Sequence, residues 1–434
     1  MRPAYLLAWV LLAAFPARAQ DPYIRTTTGV FALTNARIET VTNGTIERGT
    51  VVLRNGRIES VGADASVPAD AEVIDCTGLT VYPGMIDGGT GLGLQEIGSL
   101  PETIDRDEVG EVSPQMQALT AVNPHSVLIP VTRVAGVTTV LTTPTGGLLP
   151  GTAALVHLHG YTPEQMDGGF RGVVLSFPSS ARRGGFDRRT DEEVEKEFEE
   201  AMERLDETWD QAVLFARIDS AAVAGGHPRE PVYQPEMTAL LPAIRRQAPV
   251  LVEVNAAQDI EKALEWIERR NVRAILTGAA EGWRVADKIA AAGVPVIVGP
   301  IQRLPTRASD RYDVMYRNPG LLREAGVPVA LRTSEVENVR NLPFHAGFAA
   351  AWGMGREAAL EAVTIVPARI FGVDREVGSI EAGKRGTLFV ADGDPFEPRT
   401  QVRHLFIDGY RIPIQSRQIA LYEEFLHRSP GLTK

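Results

Sequence analysis

The sequence predicts an α/β protein: a (β/α)8 barrel of the TIM type inserted into a small composite β-sandwich domain formed by the N- and C-terminal segments. Three observations carry this expectation. Near-continuous apolar strands alternate with amphipathic helices through the middle of the chain. Two stretches of short, turn-punctuated β-like sequence flank that middle. A length of 434 residues, 44% hydrophobic and 23% charged, suits one large α/β domain with a smaller companion.

The first twenty residues, "MRPAYLLAWVLLAAFPARAQ", have a basic Arg2, an apolar run from Ala4 to Phe15 and small residues at Ala17 and Ala19. About twenty apolar residues are needed to span a bilayer, so this run reads as a secretory signal peptide over 1–19. The expected location is periplasmic or secreted. Removal of Arg2 and Arg18 with the signal would take the formal charge from −11 to −13. An acidic surface without basic clusters argues against nucleic acid and membranes as partners. Cys76 is the single cysteine, so no intrachain disulfide forms.

Residues 20–82 form the N-terminal part of the β domain, with "GVFALTNARIETV" and "GTIERGTVVLRNGRIESVG" as hairpins. Residues 83–377 form the barrel. Within it "APVLVEVN" precedes "AAQDIEKALEWIERRN", and "VRAILTG" precedes "AEGWRVADKIAAAG". In a region of this size an eightfold barrel is expected, since about 250 residues is typical of that fold. A doubly wound open sheet is the alternative. The helix in "TDEEVEKEFEEAMERLDETWD" opens on a capping box, Thr190 with Glu193, and its carboxylates read as a solvated face. The β style returns over 378–415, and 416–434 is expected to be a tail helix.

In an eightfold barrel the reacting groups sit at the C-terminal ends of the strands. The segment "VYPGMIDGGTGLGL" (81–94) is such a strand entering its loop. With Pro83, Gly84, Ile86 and Asp87 it resembles the amidohydrolase superfamily, particularly the imidazolonepropionase-like secreted members. "AGVTTVLTTPTGGLLPGTAALVHLHG", "NVRNLPFHAGFAAAWG" and "GSIEAGKRGTLFVADGDP" extend the resemblance over nearly the whole mature chain. It implies a hydrolase of carbon–nitrogen, non-peptide bonds. It also implies His-x-His after the first strand, further histidines on later strands and a catalytic aspartate on the last.

At those positions this chain carries other residues. Gly89 and Gly91 stand where the two first-strand histidines belong. Glu253 and Asn255 lie on "VLVEVN", Thr277 on "RAILTG", and Ser334 or Glu335 near the aspartate's place. A hydrolytic zinc needs three imidazole, thiolate or carboxylate ligands and an open position. Asp87, Glu253 and Glu335 could at most form an all-oxygen set, which suits calcium or magnesium better than zinc. The expected cofactor is therefore none, the alternative being one divalent metal in a rearranged site. Asp87 is expected to hydrogen-bond its own loop, and the glycines to keep the loop's backbone turn.

The other candidates are weaker. His157 and His159 in "VHLHG" have metal-like spacing on a strand, but also suit the polar face of a hairpin outside the barrel centre. His345 reads as a hydrogen-bonded core histidine and Cys76 as a buried structural thiol. Glu96 and Glu102 could transfer protons only if burial raised their pKa. No nucleophile elbow, Walker loop or dinucleotide fingerprint is present. The favoured reading is a degenerate homologue that has lost the metal centre and binds an unknown small molecule or stabilises a partner. An active enzyme with a rearranged site is the alternative. The partner would be a second copy or an active amidohydrolase.

Overall fold

The computed structural model of the protein describes residues 27–182, 187–224 and 232–428; the expected signal peptide over 1–19 lies outside them. Eight strands make the central sheet: β1 (Met85–Thr90), β2 (Val137–Thr142), β3 (Gly151–His157), β4 (Asp167–Ser176), β5 (Val250–Val254), β6 (Ala274–Gly278), β7 (Val296–Val298) and β8 (Val329–Leu331). They neighbour one another in chain order. The sheet curls so that its ends meet just past β1 and β8. Ser334 N–H donates to the Gly89 carbonyl at 3.0 Å, and Gly91 N–H to that of Glu335 at 3.2 Å. The result is a nearly closed barrel.

One strand departs from the strand–helix alternation. β1 pairs with β2, and β4 through β8 pair successively, all in parallel, whereas β3 runs antiparallel to both neighbours. The connectors 143–150 and 158–166 are the cause: a parallel return needs a crossover of about a dozen residues or more.

Side-chain alternation divides the barrel into an inside and an outside. Ile86, Leu141, Leu155, Val174, Leu251, Ile275, Ile297 and Ala330 fill the lumen as one buried cluster with Phe170 and Phe371, whose rings lie 4.7 Å apart. Residues of opposite parity, such as Val140, Val252, Leu276 and Leu331, pack outward against the helices. Full burial of each large aliphatic side chain contributes about 1.5–3 kcal/mol.

The longest helix, Asp191–Val223, begins with the capping box: Thr190 accepts from Glu193 N–H at 3.1 Å, and the Glu193 carboxylate accepts from Thr190 N–H at 2.7 Å. It buries Phe198, Leu205 and Trp209. Trp209 meets Trp266 of the helix Ala257–Arg270 edge-on, ring centroids 5.0 Å apart.

Strands from both ends of the chain build the second sheet. Phe31–Glu39 lies between Thr45–Arg54 and Thr80–Pro83, and the latter pairs with Leu388–Ala391, which continues into Val402–Ile407 and Tyr410–Ile412. Phe31, Leu33, Val51, Val81, Leu388 and Phe406 are its core. Because Thr80–Pro83 leads directly into β1, this sheet anchors the strand that enters the barrel mouth. The helix Arg417–His427 lies at the C-terminal end and buries none of its side chains. Among the described residues no helix is long and apolar enough to cross a membrane.

Candidate functional site

The lumen is apolar up to a sharp boundary near the C-terminal strand ends. Two residues beyond Leu141, Val174, Leu251, Ile275 and Ala330 come Thr143, Ser176, Glu253, Thr277 and Arg332, and all five line a cavity of about 320 Å³. Alternation makes this the next inward-facing layer, and here it turns polar. Gly88, Gly89, Gly91, Asn255 and Ser334 also line the cavity, with Arg106 and Arg303 contributed by loops.

At its centre is an ion pair. Arg332 Nη1 and Nη2 each donate to one oxygen of Glu253 at 2.7 Å. Thr277 Oγ1 donates to the same carboxylate at 2.7 Å, and Asn255 Nδ2 at 3.3 Å. Arg332 Nε is held by the Gly299 carbonyl at 3.0 Å. The Arg332 side chain is 10% exposed and that of Glu253 32%, so the pair sits at the cavity floor with the carboxylate towards the opening. Burial works to raise the Glu253 carboxyl, but attraction and hydrogen bonds from Arg332, aided by Thr277 and Asn255, hold it below the ordinary glutamate value. It is an anion with both oxygens engaged.

The glycines make room for this arrangement. A Cβ on Gly89 would stand 3.0 Å from Arg332 Cδ, and one on Gly91 would stand 2.9 Å from Val336 Cγ2 and 3.8 Å from Arg106 Cδ. Neither glycine has a positive φ. The turn after Gly91, closed by Leu94 N–H donating to the Gly91 carbonyl at 3.0 Å, thus does not call on a left-handed glycine, and both positions also leave space for neighbouring side chains. Gly278 is constrained on both counts, with φ +86° and a Cβ position 2.7 Å from Glu253 Oε1 and from Asn255 Oδ1.

Asp87 lies behind the cavity wall, fully buried. It accepts from Gly89 N–H at 3.0 Å, Thr333 N–H at 3.2 Å and Thr333 Oγ1 at 2.6 Å. It thus ties the end of β1 to the segment after β8. Burial pushes its pKa up to about 6, against the opposing hydrogen bonds from Thr333 and Gly89.

The remaining candidates do not converge on the cavity. Glu335 is exposed and absent from the lining, although its carbonyl accepts from Thr90 Oγ1. His157 ends the antiparallel strand β3 and pairs with Thr139 near the start of β2, so it lies at the opposite end of the barrel. It is buried in the barrel wall, not displayed on a hairpin face, and its Nδ1 is 3.0 Å from Thr139 Oγ1. His159 lies beyond the strand, its ring 4.9 Å from that of Tyr410. His345 is buried, but its Nδ1 has no partner among the described residues, which corrects the hydrogen bond expected of it. Glu96 accepts from Asn123 Nδ2 and Ser126 Oγ, each at 3.0 Å, and neither it nor Glu102 reaches the lining. Burial, with Asp75 nearby, pushes the Cys76 thiol up to about 11.

Sequence reasoning named Glu253, Asn255, Thr277 and Ser334 but missed Arg332, Arg106 and Arg303. The signal for Arg332 was available: it stands two residues past the inward Ala330 at a strand end, where Glu253 stands two past Leu251. The two arginines from loops carry no such periodic mark.

This donor set does not fit a hydrolytic zinc ion. Among the described residues Glu253 is the only carboxylate in the lining, both its oxygens bind a guanidinium, and no imidazole or thiolate accompanies it. Among the described residues no group of three or more His, Cys, Asp or Glu side chains is placed to hold a metal.

Comparison with known proteins bears on the fold and the lineage. Residues 132–412 match the amidohydrolase family; β1 lies outside the matched segment. The chain is 40% identical over 67 residues to the imidazolonepropionase of Mesorhizobium japonicum, a stretch spanning 13% of this chain and 16% of that protein. An amidohydrolase from Thermotoga maritima superposes with a TM-score of 0.78 at 24% identity, covering 88% of this chain and 99% of that one. A prolidase complexed with N-methylphosphonate-L-proline gives 0.55 at 16% identity, covering 89% of this chain and all of its own. Molinate hydrolase gives 0.55 at 19%, covering 89% and 96%. At these identities the likeness establishes the fold.

Proposed function

From the premise that this chain belongs to the amidohydrolase family, we propose that it has lost the family's metal centre and binds a small-molecule ligand in the barrel mouth without hydrolysing it. The observation that carries this reading is the Arg332–Glu253 pair. A fixed guanidinium supplies the local positive charge and engages both oxygens of the carboxylate on the cavity floor. A divalent cation there would have to displace it and would be repelled by it, at short range and low effective dielectric.

The glycines support the same reading. The space above Gly89 is filled by Arg332 and that above Gly91 by Val336 and Arg106, so imidazoles could enter only with repacking. The alternative of a rearranged metal site has less support, because His157 and His159 lie at the other barrel end from Glu253. Lineage alone does not license hydrolysis.

The test is a hydrolysis assay over a panel of linear and cyclic amides, run with added zinc, with added manganese and with chelator. The expected result is no metal-dependent turnover above the buffer blank. Turnover restored by zinc and abolished by chelator would overturn the proposal.

A further inference from the structure

We infer that the ligand of this cavity is a small anion carrying a carboxylate or phosphate group, held by Arg106 and Arg303 of the cavity lining. The inference rests on the metal-free reading of the site and adds the chemical class of what it binds.

The chain as a whole is acidic, with a formal charge of −11, yet Arg106, Arg303 and Arg332 line the cavity with Glu253 as the only carboxylate among the described residues. Arg332 and Glu253 neutralise one another. Arg106 and Arg303 make no side-chain hydrogen bond or ion pair among the described residues, whereas nearby arginines do. Arg307 binds Glu281, Arg284 binds Asp310, and Arg311 binds Asp313. The other acids of the strand-end loops, among them Asp105, Asp107 and Glu335, stay outside the lining.

Two arginines of the lining without a protein partner among the described residues make a site for an oxyanion, since arginine presents a planar fork of donors matched to carboxylate and phosphate. Thr143, Thr145 and Ser176 in the lining add hydroxyls that can donate to the same group. A cavity of about 320 Å³ admits a small molecule and excludes a folded partner or a nucleic-acid strand.

The test uses the full chain and two probes, inorganic phosphate and succinate, titrated calorimetrically at constant ionic strength against chloride. Wild type is compared with Arg106→Gln/Arg303→Gln. Because neither side chain has a structural partner, the double variant is expected to melt with the wild type in chloride, which controls for folding. At least one probe should bind wild type with a stoichiometry near one and raise its melting temperature. The double variant should bind that probe more weakly by about tenfold or more, the scale of a lost charge-assisted hydrogen bond. Binding of phosphate alone would assign a tetrahedral oxyanion, and binding of succinate alone a carboxylate.

Failure of both probes to bind wild type, or binding unchanged in the double variant, would overturn the inference. Metal content read on the same samples separates this from the reading beneath it. Stoichiometric zinc would sink the metal-free site, whereas metal-free protein indifferent to both anions would sink only the anion.

Discussion

Arg332 and Glu253 meet across the barrel mouth in a two-pronged ion pair, both N–O distances 2.7 Å, although 79 residues separate them in the chain. β8 supplies the guanidinium and β5 the carboxylate, each two residues beyond an apolar lumen residue, Ala330 and Leu251. The pair therefore fastens two walls of the barrel where a hydrolase of this lineage would carry reactive groups.

Removing one partner should cost more than removing both. Arg332→Met would leave a half-buried carboxylate without its counter-charge. A fully buried pair broken this way loses about 3–5 kcal/mol; with Glu253 partly open to solvent, about 2–3 kcal/mol is expected. Arg332→Met/Glu253→Gln should recover at least about 1 kcal/mol of that loss. Urea denaturation of the three proteins and wild type closes the cycle. Additive losses would show that the two side chains do not stabilise one another.

Gly278→Ala should be among the most damaging alanine substitutions of a glycine in this barrel. The added Cβ would carry a left-handed φ and press on Glu253 and Asn255, a combined cost of about 2–4 kcal/mol. Gly293→Ala is the control: that residue also has a positive φ, as a helix C-cap, but nothing lies within 4 Å of its Cβ position. About 1 kcal/mol is expected there. Equal losses at the two sites would remove the steric part of the argument.

Asp87 gives the fold a pH dependence of defined sign. Its folded pKa, about 6, lies above the ordinary aspartate value of 3.8, so the native state prefers the protonated acid. Its contribution is fully present below pH 3.8 and is lost as pH rises through 6, by about 3 kcal/mol at completion. Asp87→Asn keeps a neutral acceptor for the Gly89 and Thr333 amides and does not ionise. Relative to wild type, the variant's stability should therefore rise between pH 5 and pH 7.5. A difference that stays flat across that range would mean that Asp87 is ionised without penalty.

Much of this architecture is legible in the sequence because it follows from periodicity. The apolar runs "VLVEV", "AILTG" and "PVIVG" and the amphipathic helices between them mark the parallel strands, and the paired β texts at the two ends mark the shared sheet. The reversal of β3 was missed although its short connectors exclude crossover helices. Composition alone did not separate a strand–turn–strand from a strand entering a loop. Glu253 and Thr277 were legible as strand-end residues. Arg332 carries the same strand-end mark in "ALRTSEV", two residues past Ala330, but its pairing with Glu253 was not legible, because the partner lies on a distant strand. The space-making role of Gly89 and Gly91 depends on side chains from elsewhere in the chain, which no local pattern records.

The most direct test of the central claim is metal content per chain. The purified protein would be incubated with zinc, dialysed against metal-free buffer and analysed by elemental mass spectrometry. A guanidinium bound to the Glu253 carboxylate predicts no zinc above the buffer background. One or two zinc, manganese or iron atoms retained per chain would contradict it and restore the barrel mouth as a metal centre.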